Sequence, residues 1–113
     1  ACGARAVSRA LEAKKLSGVK SAKIVNCRTV SPLDERFLDA IDKKKIITFE
    51  EGYAAGGFGA AVAEYYARQA RTVQLKIMGA DSVPVEHATA AQQAEKWKLT
   101  AADLARKIQA WEN

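Results

Sequence analysis

Lys45-Ile46-Ile47-Thr48-Phe49-Glu50-Glu51-Gly52-Tyr53-Ala54-Ala55-Gly56-Gly57-Phe58-Gly59-Ala60-Ala61-Val62 is the stretch on which the fold turns. Lys45 to Glu50 holds Ile46, Ile47 and Phe49 almost without polar interruption, the composition of a strand covered by helices on both faces. It is the expected centre of the sheet. Gly52 to Gly59 then reads as a glycine-rich loop, and Phe58, Ala61, Val62, Tyr65 and Tyr66 recur at the spacing of one helical face. A buried strand that hands over through a glycine loop to a helix is the building step of an α/β domain.

Upstream, Gly3 to Leu16 has the period of a helix, with Val7, Ala10 and Leu11 on the apolar side and Arg5, Arg9, Glu12 and Lys15 mostly on the other. Ser17 and Gly18 end it, and Ala22 to Cys27 reads as a short strand around Ile24 and Val25. Leu33, Phe37, Leu38 and Ile41 form a short amphipathic helix whose acidic start, Asp34 and Glu35, suits the helix dipole. Downstream, Val73, Leu75 and Ile77 alternate with Thr72, Gln74 and Lys76, which predicts a strand nearer the sheet edge. Gly79 to Thr89 is expected to be irregular and Thr89 to Trp97 helical. Thr100 with Asp103 predicts a capped last helix presenting Leu104, Ile108 and Trp111. The alternation predicts an α/β sandwich with a mostly parallel sheet, one domain over 1–113.

Hydrophobic residues make up 49% and charged residues 27% of the 113, the usage of a folded domain rather than a disordered segment. No apolar run approaches the roughly 20 residues that span a bilayer, and the first residues lack the basic-then-apolar order of a signal peptide. The expectation is a cytoplasmic protein with no membrane partner. The net charge of +5 is spread along the chain without an aromatic stacking platform, which argues against nucleic acid. Lys43, Lys44 and Lys45 read as a solvated turn before a strand. Cys2 and Cys27 have no metal-ligand spacing and read as free thiols.

The candidate site residues are Glu50, Glu51, Gly56, Gly57, Gly59 and His87. As a dinucleotide fingerprint, Gly57 and Gly59 supply two glycines, but Val62 stands where the third small residue belongs. Two carboxylates ahead of the loop also repel phosphate. As consecutive strand residues, Glu50 and Glu51 point to opposite faces and do not share a substrate. That favours solvated or interface-pairing carboxylates over acid–base catalysis. His87 lies beside Glu86 in the irregular segment with no nucleophile at a recognisable spacing, so an ordinary surface histidine is favoured over a base.

Asn26-Cys27-Arg28-Thr29-Val30-Ser31-Pro32-Leu33-Asp34, Ile46-Ile47-Thr48-Phe49-Glu50-Glu51-Gly52 and Ala55-Gly56-Gly57-Phe58-Gly59-Ala60-Ala61-Val62, in this order, resemble the C-terminal domain of the transketolase family. The likeness is strongest to its 1-deoxy-D-xylulose 5-phosphate synthase branch and runs to the end of the chain. The resemblance implies a three-layer unit with a five-stranded mixed sheet, placed after the domains that bind thiamine diphosphate and magnesium. It implies an architectural role, upstream cofactor-binding domains as partners and a homodimeric parent transferase. The diphosphate-binding Gly-Asp-Gly is absent here, so no catalytic, cofactor or metal residue is carried over.

Two features depart from the family pattern. Only Ala1 and Cys2 precede Gly3 where members carry a short strand, so part of the first strand is expected to be missing. Glu86-His87-Ala88 lacks the glycine that often follows the histidine in synthase-like members. Transketolase proper and the β-subunits of 2-oxoacid dehydrogenases stay open as parents. A free-standing α/β binding module and a subunit of a split enzyme are the competing functions.

Overall fold

The computed structural model describes residues 1–27, 33–41, 45–53, 56–80 and 89–112. The elements in chain order are α1 (Ala4–Ser17), α2 (Glu35–Ala40), β1 (Lys45–Tyr53), α3 (Phe58–Arg68), β2 (Gln74–Ala80), α4 (Ala90–Lys96) and α5 (Ala101–Glu112). β1 and β2 pair in parallel from Lys45↔Gln74 to Phe49↔Met78, and the register shifts before Tyr53↔Ala80. On the other edge of β1, Cys2 forms a parallel bridge to Glu50 and its N–H donates to the Phe49 carbonyl at 3.1 Å. The sheet among the described residues thus has two strands, with β1 flanked on its other side by the single bridge at Cys2.

One face of the sheet is covered by α1, α4 and α5, whose Ala6, Ala10, Ala13, Ala94, Leu104 and Ala105 enclose Phe49 and Met78. The other is covered by α2 and α3 through Leu38, Phe58, Val62, Tyr65 and Tyr66. This is the expected α/β/α layering, and burying each large side chain contributes about 1.5–3 kcal/mol.

Helix α1 forms where expected and stops at Gly18, whose φ of 70° is the left-handed cap that a side chain disfavours. Its buried face differs from the expected one. Ala6, Ala10 and Ala13 are inside, whereas Leu11 is 51% exposed. Alanines at this spacing let the α1 backbone approach α5 closely, against Ala101, Leu104 and Ala105, and the larger leucine is turned outward.

The strand expected at Ala22 to Cys27 is a second correction. Among the described residues the segment forms no strand ladder; the Ala1 nitrogen donates to the Val25 carbonyl at 2.8 Å and the Ala1 carbonyl accepts the Cys27 N–H at 2.9 Å. Two hydrogen bonds are too few to form a ladder.

The cap expected at Thr100 forms, and α2 and α4 carry side-chain caps that the sequence reading did not name. Asp34 accepts the Phe37 N–H at the start of α2. Thr89 and Gln92 close a reciprocal capping box on α4. At α5 the Thr100 N–H and hydroxyl both donate to Asp103 Oδ2, and the Asp103 N–H donates back to Thr100 Oγ1 at 3.1 Å. Among the described residues no helix is long and apolar enough to cross a membrane.

Candidate functional site

Glu50 sits near the end of β1, 6% exposed, with its side chain directed at the start of α3. Oε1 accepts the Phe58 N–H at 3.0 Å and Oε2 the Gly59 N–H at 2.8 Å. The first N–H groups of a helix have no partner within it and carry the positive end of its dipole, so a carboxylate is their best-suited acceptor. Glu50 is thus a helix cap delivered from the preceding strand, and it ties both ends of the glycine loop together. An anion approaching this helix start would have to displace it, which gives the weak phosphate fingerprint its structural answer.

Glu51 points the other way, as strand alternation requires. Its Oε1 accepts from Arg9 at 3.0 Å and its Oε2 from Arg5 at 3.4 Å, both on α1. With Glu51 36% and Arg5 59% exposed, this network contributes little to stability, on the order of 1 kcal/mol or less. What it does provide is a charged surface that joins α1 to the end of the sheet. Arg5 and Arg9 lie 46 and 42 residues from Glu51, and no local pattern pairs them.

The glycines divide by cause. Gly56 has φ +70° with open space around it, so its requirement is conformational. Gly59 is required for packing: a Cβ there would stand 2.4 Å from Thr48 Oγ1 and 2.6 Å from Ile77 Cγ2. The start of α3 crosses the sheet at van der Waals contact. Gly57 is the N-cap at φ −92°, a backbone open to any residue. Beneath Gly59, the buried Thr48 hydroxyl has no hydrogen-bond partner among the described residues.

A cleft of about 380 Å³ opens beside this turn, lined by Cys2, Gly3, Arg5, Glu51, Gly57 and Phe58 among others. The structure therefore brings Glu50, Glu51, Gly56, Gly57 and Gly59 to one corner; His87 lies outside the described residues. The corner does not fit a diphosphate or its metal. Its helix donors are taken by Glu50, and among the described residues no group of three His, Cys, Asp or Glu side chains could hold a metal ion. Both Glu50 oxygens are bonded to backbone, so the side chain is held against its own helix start.

Residues 2–104 match the family described as "Transketolase, C-terminal domain". Over 92 residues, 80% of its length, the chain is 40% identical to a 1-deoxy-D-xylulose-5-phosphate synthase of Picosynechococcus sp., covering 14% of that protein. Over 103 residues, 89% of its length, it is 32% identical to the synthase of Exiguobacterium sibiricum, covering 16%. The chain thus spans about one seventh of the curated relatives it matches. Among solved structures, a chain described as "Split gene transketolase, inactive beta4 tetramer" superposes with a TM-score of 0.76 at 28% identity, over 99% of this chain and 37% of that one.

Proposed function

The chain belongs to the transketolase C-terminal domain family, and on that premise we propose that it is the non-catalytic assembly domain of a thiamine-diphosphate-dependent transferase of the 1-deoxy-D-xylulose 5-phosphate synthase or transketolase type. The observation that carries this reading is the use made of Glu50: the acid best placed for chemistry is spent on the Phe58 and Gly59 N–H groups of its own fold. Glu51, Arg5 and Arg9 form a charged surface suited to contact with the upstream domains or a second subunit. Thiamine diphosphate and magnesium belong to those upstream domains, and the parent works as a cytoplasmic homodimer. When bound, the cofactor supplies the carbanion chemistry of carbon–carbon bond transfer.

Mixing the purified chain with a chain carrying the upstream domains tests the reading. Activity and a stable complex should appear only in the mixture, and turnover by the 113-residue chain alone with cofactor supplied would overturn it. A second reading, a subunit of a split transketolase, is favoured by the likeness to the solved split-gene chain. It predicts that the partner is encoded separately and that the two chains copurify.

A further inference from the structure

The two cysteines are 25 positions apart in sequence and become neighbours only through the pairing of the first residues. The Ala1 nitrogen donates to the Val25 carbonyl at 2.8 Å, and the Ala1 carbonyl accepts the Cys27 N–H at 2.9 Å. These two bonds define a parallel register in which Ala1 stands opposite Asn26. One residue further on, Cys2 stands beside Cys27. Their side chains share a face, since both pack against the cluster of Leu38, Phe58, Val62, Tyr65 and Tyr66. Both are free and half-buried.

Neighbouring strands lie about 4.8 Å apart, inside the roughly 4.4–6.8 Å between α-carbons that a disulfide spans. The β-carbons of a parallel pair stand slightly further apart than a relaxed disulfide prefers, so closure must draw the two segments together. Residues 22–27 have no ladder to resist that movement, and a bond closed under tension is readily reduced again. Access is available from one side: Cys2 lines the cleft beside Arg5 and Glu51.

We propose that Cys2 and Cys27 form a redox-active dithiol that closes to a reversible intramolecular disulfide by exchange with a low-molecular-weight disulfide. In the first exchange the Cys2 sulfur attacks one sulfur of the small disulfide; its S–S bond breaks, and the departing thiolate takes up the proton that Cys2 gives up. The Cys27 sulfur then attacks the Cys2 sulfur of the mixed disulfide and releases the second small thiolate, which takes the Cys27 proton. Two protein S–H groups become one S–S bond, and the small disulfide is reduced to two thiols. Burial pushes the Cys27 thiol up and lowers its thiolate fraction, so the first attack falls to Cys2 at the cleft and Cys27 reacts only with the mixed disulfide held beside it.

The test incubates the native chain with oxidised glutathione and reads intact mass, free thiols and an unreduced tryptic map. The expected result is loss of both free thiols and of two hydrogens in mass, with peptide Ala1–Arg5 linked to Ile24–Arg28 and dithiothreitol restoring both thiols. Cys2→Ser and Cys27→Ser should each stop at a mixed disulfide carrying one glutathione. Two mixed disulfides on the parent chain, a disulfide-linked dimer, or thiols left unreacted would each overturn the proposal.

Discussion

The Oε2 atom of Glu50 accepts the Gly59 N–H at 2.8 Å, so the last stretch of β1 caps the first turn of α3 across the loop that joins them. The pair couples a strand residue to a helix residue nine positions on, and both belong to the segment in which the fold was legible.

Removing this cap should be costly because the helix start is buried. Glu50→Ala leaves the Phe58 and Gly59 N–H groups without their acceptor, at a cost of about 2–3 kcal/mol; Glu50→Gln keeps one acceptor oxygen and should cost less. Urea unfolding measures both, as a lower midpoint at unchanged slope. Equal midpoints for Glu50→Ala and the parent chain would show that the carboxylate does not hold the helix.

Among the loop glycines, Gly59→Ala should be the most damaging, because its Cβ meets Thr48 Oγ1 and Ile77 Cγ2 well inside contact distance. A loss of about 1–3 kcal/mol is expected. Gly56→Ala should lose about 1 kcal/mol through its positive φ alone, and Gly57→Ala less than either. A double-mutant cycle with Thr48→Ala should show coupling at Gly59 and none at Gly56, read from thermal or urea midpoints.

The apolar faces of α1 can be distinguished directly. Ala10→Leu overfills the contact with α5 and should destabilise by about 1–3 kcal/mol, while Leu11→Lys on the 51% exposed position should change stability by about 0.5 kcal/mol or less. The reverse ranking in a melting experiment would restore the face predicted from sequence.

Asp103 sets an acid-dependent contribution at α5. Burial works to raise its pKa, but the bonds from the Thr100 hydroxyl and N–H, together with Arg106, outweigh it and hold the carboxyl below the ordinary value of 3.8. A depressed folded pKa means that the stabilisation is complete above that ordinary value and is lost as pH falls through the folded one. Asp103→Asn should cost about 1 kcal/mol at neutral pH and flatten the acid limb of stability against pH. An acid limb of unchanged steepness would place the titration elsewhere.

Local pattern was sufficient wherever the deciding contact lies within a few residues. The cap Thr100–Asp103 closes over three positions, and the apolar run Ile46 to Phe49 marked β1. The opposite directions of Glu50 and Glu51 followed from strand alternation alone. By contrast, nothing local reveals that Glu51 meets Arg5 and Arg9, that α1 turns alanines rather than Leu11 inward, or that Cys2 stands beside Cys27.

Periodicity and capping, which are short-range properties of the backbone, were enough to mark the five helices and the two paired strands, though not the irregular course of Ala22 to Cys27 or the extension of β1 to Tyr53. The role of each glutamate, the division of labour between Gly56 and Gly59, and the buried face of α1 emerge only in the folded chain. Those depend on how closely elements distant in the chain approach one another, and close approach is set by the packing of the whole core.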